Sequence, residues 1–290
     1  MAMPPQPWPT GEIEQLEPLV RRILAPNASP FTYTGTQTYF VGGDEGLAVI
    51  DPGPADEEHL DALERVIGGV PVVAILCTHT HRDHSPAAAP LAERTGAPIV
   101  GCAPLALETG GPRADAPFDK SYAPDKVLAD GDQVSGPGWT LAALATPGHT
   151  SNHLCFALEG TGALFTGDHV MGWSTTVVAP PDGDMADYMA SLDKLQARDD
   201  RVYYPAHGPA VGNPRQLVRG MIGHRRQRER QIVKLLGESP QAIAAMVPRM
   251  YKGLSEFLWP AAALSVEAHL IDLERRGLVA RSGHIWTIPA

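Results

Sequence analysis

The stretch "CTHTHRDHS", residues 77–85, places four potential metal ligands within six positions: His79, His81, Asp83 and His84. It follows the apolar, β-branched run "VPVVAILCT" (70–78) and precedes "SPAAAPLAERTG" (85–96), where a Ser and a Pro stand at a helix start. These flanks predict a buried strand that ends in a loop, followed by a helix. Such a group of polar side chains would be costly to desolvate without a cation, so the stretch predicts a metal site.

The spacing within this loop predicts how the side chains divide. In extended chain, residues two apart point to the same side, so His79 and His81 can share one ion. Asp83 and His84 stand at the turn into the helix and can face a second ion nearby. A single histidine elsewhere is more often structural than a ligand, and we interpret His153 in this way.

The rest of the chain alternates between helix and strand patterns, with frequent hairpin turns. "ADEEHLDALERVIGG" (55–69) has acidic first turns, helical spacing and a terminal Gly, which predict a helix. Residues 139–170 show strand, turn, strand, turn, strand. The pattern predicts an α/β (α+β) fold whose sheets are mixed rather than purely parallel.

The sequence changes character after Gly237. "SPQAIAAMVPRMY", "SVEAHLIDLERRGLV" and "ARSGHIWTIP" have the outline of two helices and a short hairpin. This outline is typical of a small winged-helix unit. We predict a catalytic domain at 1–237, ending in a long basic helix at 214–236, and a winged-helix-like domain at 238–290.

Composition indicates the cellular environment. The first 15 residues lack the basic and apolar regions of a secretion signal, and no apolar run is long enough to cross a bilayer. Three widely spaced cysteines without a CxxC pair argue against a disulfide framework and for reduced, mostly buried thiols. We therefore expect a cytoplasmic protein with no membrane association.

Charge is unevenly distributed along the chain. The net charge is −10, yet the helix 214–236 is strongly basic. It is either an ordinary solvated helix or a surface that guides an anionic substrate. Arg225 and Arg226 on this helix, with Thr175 and Thr176 in "GWSTTVV", are the candidate substrate-binding residues. The overall acidity counts against non-specific nucleic-acid binding.

Five motifs together resemble a known family. "HTHRDH" resembles the HxHxDH signature of the metallo-β-lactamase-fold hydrolases, and four further motifs follow that family's pattern. They contain Asp51 in "VIDPG", His149 in "TPGHT", Asp168 in "FTGDH" and His207 in "PAHGP". The resemblance implies an αββα sandwich with a metal site at one edge, between two sheets.

The resemblance also implies a role for each residue. It implies two zinc ions per chain, with other divalent metals possible, held by two ligand sets and one bridge: His79, His81 and His149; Asp83, His84 and His207; and Asp168 between them. The ions would share a hydroxide nucleophile, and Asp83 and Asp168 are the carboxylates assigned to catalysis. Asp51 would fix a ligand imidazole through a hydrogen bond.

Two enzymatic hypotheses stay open. Asp168 and His81 argue against the family's true β-lactamases and its flavin-coupled di-iron branch, which leaves β-lactam hydrolysis as a side activity at most. In "SPFTYTGTQTYFVG", "TTVVAPPDGDMADYMASL", "YYPAHGP" and "HRRQRERQIVKLL" the chain resembles the β-lactamase-like protein 2 group, which implies phosphodiester cleavage of single-stranded RNA. The alternative is a glyoxalase-II-like hydrolase of a thioester, lactone or other small ester.

A third hypothesis is a winged-helix regulator with a metal-sensing domain. Its recognition helix would be "SVEAHLIDLERRG", which carries three acidic residues against two basic ones at its end. Such a helix is unsuited to phosphate contacts, so we expect no sequence-specific DNA binding. We expect the unit to pack on the core or on a second subunit, which leaves a homodimer open.

Overall fold

The computed structural model describes residues 9–105 and 118–289. Its first sheet has seven strands in chain order: β1 (Glu14–Glu17), β2 (Val20–Leu24), β3 (Gln37–Gly43), β4 (Gly46–Ile50), β5 (Val72–Cys77), β6 (Ile99–Gly101) and β7 (Lys126–Val127). Pairing is antiparallel from β1 to β4 and parallel from β4 to β7. The predicted mixed sheet is therefore present.

The second sheet has five strands, in the spatial order β12, β11, β10, β9, β8. Their bounds are β8 (Gln133–Gly136), β9 (Trp139–Ala145), β10 (Leu154–Leu158), β11 (Ala163–Gly167) and β12 (Val202–Pro205). All neighbours are antiparallel except β11 and β12. The three strands predicted within 139–170 are confirmed as β9, β10 and β11.

Six α-helices lie in the described part of the chain: α1 (Glu57–Ile67), α2 (Ala88–Thr95), α3 (Met185–Gln196), α4 (Pro214–Glu238), α5 (Ile243–Met250) and α6 (Trp259–Arg275). Helices α1 and α2 pack with the first sheet, while α3 and α4 pack on the outer side of the second. Alternation along β10 explains the layering. Leu154, Phe156 and Leu158 join the core shared with the first sheet, and Cys155 and Ala157 contact the α3–α4 layer. The αββα sandwich is confirmed.

One predicted helix start is wrong. Helix α2 begins at Ala88 rather than at Ser85, and no side chain caps it. The hydroxyl of Ser85 donates instead to Asp119, at 3.1 Å. Residues 85–87 form a turn that leads out of the histidine loop, so the local cap signal is overridden by a tertiary contact.

The C-terminal unit is a winged helix. Strands β13 (Ala280–Ser282) and β14 (Ile285–Thr287) form its hairpin, and Gln241 pairs with Trp286 as a further bridge. Trp286 is buried with α5, α6 and the last turns of α4, which contribute Ile232 and Leu236. Because α4 runs without a break into this core, the domain boundary near residue 237 stays a prediction.

The predicted buried thiols are present. The three cysteines are free and buried, and burial raises the pKa of each thiol, that of Cys155 to about 12. No helix in the described ranges is long and apolar enough to span a membrane. The N-terminal segment, for which no secretion signal was predicted, lies partly outside the described residues, as does most of the predicted loop before residue 126.

Candidate active site

The candidate site lies at one edge of the sandwich, where strands from both sheets end. Parallel strands β4 and β5 end together in the first sheet, and parallel strands β11 and β12 end together in the second. Each end is followed directly by part of the predicted site. Asp51 follows β4, the histidine loop follows β5, Asp168 follows β11, and His207 follows β12. His149 stands in the turn between β9 and β10, at the same edge.

The first cluster consists of His79, His81 and His149. The Nε2 atom of His79 lies 3.1 Å from Nδ1 of His81, and Nε2 of His149 lies 3.2 Å from the same Nδ1. Ligand nitrogens about 2.05 Å from a tetrahedral zinc ion lie roughly 3.3 Å apart. The spacing of these nitrogens therefore fits a single metal ion.

The second cluster consists of Asp83, His84 and His207. Oδ2 of Asp83 lies 3.4 Å from Nε2 of His84 and 3.2 Å from Nε2 of His207. Asp168 stands between the two clusters. Its Oδ1 is 3.3 Å from His207 Nε2, and its Oδ2 is 3.6 Å from His84 Nε2 and 3.7 Å from His149 Nε2. One carboxylate thus reaches ligand atoms of both sets.

The outer nitrogens of three histidines are held by acceptors. Nδ1 of His149 donates to the carbonyl oxygen of Val177 at 2.7 Å, and Nδ1 of His207 donates to that of Gly35 at 3.1 Å. Nδ1 of His84 donates to Oδ2 of Asp51 at 3.0 Å. Because each outer nitrogen holds its proton in this bond, the Nε2 atom is the one that faces the cluster. An imidazole held in this way presents its Nε2 atom to a metal.

Asp51 organises the loop that precedes the cluster. Its carboxylate accepts from the main-chain N–H and the hydroxyl of Thr78, each at 2.8 Å, as well as from His84. Its φ of 50° lies in the left-handed region, which is strained for a residue with a side chain. The end of β4 therefore fixes both the start of the histidine loop and one imidazole.

The two clusters differ in their electrostatics. Burial and the neighbouring imidazoles lower the pKa of His79 and lower that of His81 to about 3. Burial also acts to lower the pKa of His207, but the carboxylates of Asp168 and Asp83 raise it to about 10. The lowered pKa values keep the imidazoles of His79 and His81 neutral, whereas carboxylates surround the imidazole of His207.

His153, interpreted as structural, supports the site from behind. Its Nε2 accepts from the main-chain N–H of Asp168 at 3.2 Å, and its Nδ1 lies 2.9 Å from the hydroxyl of Thr146. Gly167, with a φ of +48°, lets the chain pass close to it. A Cβ atom at Gly167 would stand 2.7 Å from both His153 Nε2 and Thr78 Oγ1. No local sequence signal indicated this support.

Two of the candidate substrate-binding residues are exposed and two are buried. Thr175 and Arg226 are exposed. Thr176 is buried, and its hydroxyl donates to the carbonyl oxygen of Asp168 at 2.7 Å. Arg225 is also buried, and its guanidinium donates to the carbonyl oxygen of Thr176. Through these hydrogen bonds, Thr176 and Arg225 support the loop that follows Asp168.

A cavity of about 630 Å³ lies beside the site, between the sandwich and the C-terminal unit. Thr176 and Val177, which support Asp168 and His149, form part of its wall. The candidates Thr175, Thr176 and Arg225 line this cavity, but no sequence pattern indicated its other walls, because they come from segments that lie far apart along the chain.

Comparison with known proteins agrees with this architecture. Residues 32–207 match the metallo-β-lactamase superfamily, and residues 242–286 match the β-lactamase-associated winged-helix domain. The crystal structure of a metallo-β-lactamase family protein from Thermus thermophilus has a TM-score of 0.76 at 23% identity, covering 95% of this chain and 100% of that one.

Two curated proteins show the range of relatives. A β-lactamase-like protein 2 homologue of Drosophila melanogaster is 33% identical over 277 residues, which are 91% of this chain and 91% of the relative. An atrochrysone carboxyl ACP thioesterase of Aspergillus terreus is 31% identical over 232 residues, 79% of this chain and 67% of the relative.

The fold and the site define a hydrolase with clustered side chains that could hold metal ions. The chain belongs to the metallo-β-lactamase superfamily and carries the winged-helix domain associated with it.

Proposed function

We propose that the protein is a binuclear metal-dependent hydrolase of carboxylic thioesters, with zinc as the metal. One ion would be held by His79, His81 and His149, the other by Asp83, His84 and His207, with Asp168 reaching both. The observation that carries this proposal is the convergence of seven side chains at ligand spacing, with the outer nitrogens of three imidazoles already hydrogen-bonded.

The bound ions would polarise the scissile carbonyl and supply activated water. In the reaction the acyl carbon–sulfur bond breaks, a carbon–oxygen bond to the water oxygen forms, and the leaving thiol takes up a proton. The chain's own contribution is orientation. Val177, Gly35 and Asp51 hold the ligand imidazoles, and His153 holds the main chain at Asp168.

The surroundings of the site favour an acyl substrate over RNA. The two arginines of α4 that border the adjoining cavity are Arg225 and Arg228. Arg225 donates to the carbonyl oxygen of Thr176, and Arg228 donates to Met250 and lies 4.2 Å from the Tyr251 ring centroid. Guanidinium groups engaged in this way are poorly available for phosphates. Thioester hydrolysis is also the activity named for one group of relatives.

A second candidate function, cleavage of single-stranded RNA, has one observation in its favour. Arg219, Arg226, Arg230 and Lys234 are exposed along the solvent-facing side of α4. Such a row can bind successive phosphates. Removing one contact between a basic side chain and a phosphate should reduce the slope of log affinity against log salt concentration by about 0.7. Replacing Arg226, Arg230 and Lys234 together with Gln tests this role without disturbing Arg225 or Arg228.

The substrate class is tested on zinc-reconstituted protein with acetyl-CoA, hexanoyl-CoA, S-lactoylglutathione, a single-stranded RNA oligonucleotide and nitrocefin. The proposal expects thioester hydrolysis that disappears on chelation and returns with zinc, with the RNA left intact. RNA cleavage that the triple Gln variant weakens, together with intact thioesters, would replace the proposal with the second candidate. Inactivity on every thioester would overturn it.

A further inference from the structure

We propose that the cavity between the sandwich and the winged-helix unit binds the apolar acyl group of the substrate, so that the winged-helix unit determines acyl-chain specificity. This inference rests on the proposed thioesterase function and adds the substrate class. The cavity volume of about 630 Å³ lies within the roughly 300–1,000 Å³ range of small-molecule sites.

The sandwich contributes a preformed aromatic wall. Tyr33 and Trp173 both line the cavity, and their rings stack at a centroid distance of 4.6 Å. Tyr33 has a φ of 60°, a strained conformation that the stacking against Trp173 can hold in place. Met171 and Phe31 extend the apolar surface on this side. The indole N–H of Trp173 is buried and makes no hydrogen bond to any described residue, which leaves a donor for a polar atom of the ligand.

The winged-helix unit contributes the opposite wall. Tyr251, Leu254, Phe257, Leu258 and Ala262 line it, from the segment that joins α5 to α6 and from the start of α6. Phe257 is 72% exposed, and Phe31, across the cavity, is 41% exposed. Two large apolar side chains that face one cleft from separate units and remain in water indicate an apolar ligand.

The position of the cavity relative to the metal ligands identifies which part of the substrate it would take. Val177 and Thr176 line the cavity and also hold His149 and Asp168. An acyl group in the cavity would therefore end at the cluster, where its carbonyl carbon must react.

Three variants test this assignment with acetyl-, hexanoyl- and decanoyl-CoA. Phe257→Ser removes an exposed part of the wall, and Ala261→Trp fills the space from α6, where Ala261 lines the cavity. Leu278→Ser is the matched control, because Leu278 is a 46% exposed apolar residue of the same unit that is not part of the cavity. Decanoate binding to metal-depleted protein, measured by calorimetry, gives a readout independent of turnover.

In the parent, kcat/KM should rise at least tenfold from hexanoyl- to decanoyl-CoA, because each buried methylene can add up to about fourfold. Ala261→Trp should bring the ratio of kcat/KM for decanoyl-CoA to that for acetyl-CoA near one and abolish decanoate binding. Phe257→Ser should lower this ratio and the decanoate affinity about threefold or more. Leu278→Ser should match the parent in both measurements. Thioester hydrolysis without chain-length preference, or decanoate binding that Ala261→Trp leaves unchanged, would overturn the inference. A parent that binds decanoate in the cavity but hydrolyses no thioester would contradict the proposed function instead.

Discussion

The guanidinium of Arg225, on α4, donates a hydrogen bond to the carbonyl oxygen of Thr176, on the loop that leaves Asp168. The hydroxyl of Thr176 in turn donates to the carbonyl oxygen of Asp168. Arg225 also lies over the ring of Tyr188, 5.0 Å from its centroid. Helix α4 is thereby joined through two hydrogen bonds to the main chain of Asp168, the candidate bridging residue.

Arg225→Met should test this connection, since Met keeps much of the apolar stem and removes the donors. We expect the free energy of unfolding to fall by about 1.5–3 kcal/mol, the range for a hydrogen bond that involves a charged group. Metal affinity should fall as well, because the loop after Asp168 loses its anchor. Arg226→Met is the control, since this exposed neighbour should change stability by less than about 0.5 kcal/mol. Equal stability of the two variants in urea unfolding would contradict the anchoring role.

Asp168→Ala should remove the carboxylate that reaches both ligand sets. We expect the protein to keep at most one tightly bound ion. Turnover should fall more than about 100-fold, because even the loss of a residue that only hydrogen-bonds to a metal ligand lowers activity by about 10–100-fold. Elemental analysis after zinc reconstitution gives the metal content, and circular dichroism checks the fold. Two retained ions with unchanged turnover are the result that would sink the bridging role.

Gly167→Ala should be more damaging than another glycine substitution with similar backbone geometry. Gly160 has a φ of +75° and open space around it, so Gly160→Ala should cost only the backbone strain, about 1 kcal/mol. At Gly167 the added Cβ would also press against His153 and Thr78. We expect a loss about 1 kcal/mol larger or more in urea unfolding, together with weaker zinc binding. Similar losses in both variants would show that this close approach is not needed.

Asp184→Asn should reveal a contact between the sandwich and the winged-helix unit whose contribution to stability depends on pH. Asp184 caps α3 and forms an ion pair with Arg275 at the end of α6. Burial acts to raise the pKa of Asp184, but Arg275 and main-chain N–H groups lower it below the ordinary aspartate value of 3.8. A lowered folded-state pKa gives stability above the unfolded-state pKa that is lost as pH falls through the folded-state value.

The Asn side chain keeps the helix cap but not the charge. The variant should therefore be less stable than the parent at pH 7 by up to about 1 kcal/mol, because Arg275 is largely exposed and the pair is screened. The difference should shrink as pH falls from about 5 toward 3. Urea midpoints of the two proteins across this range provide the measurement, and a constant difference would argue against the ion pair.

Local signals in the sequence were enough to predict much of the architecture. The apolar runs of β9, β10 and β11, separated by turn residues, and the helical spacing of α1 are properties of short segments, so these elements appear where the pattern indicates. The grouping of His79 with His81, and of Asp83 with His84, also follows from spacing within one loop. For Asp51, His149, Asp168 and His207, the resemblance to a family was needed, because they lie far apart along the chain.

Features that depend on contacts between distant segments were decided only by the tertiary structure. The sequence shows that α4 is basic, but the packing of the helix determines that Arg225 turns inward to Thr176 while Arg226 remains in solvent. The support of Asp168 by His153 and the cavity between Trp173 and Phe257 have no local signature for the same reason. Side-chain spacing within a segment is set by backbone geometry, whereas the partner of each side chain depends on which segments the whole fold brings together.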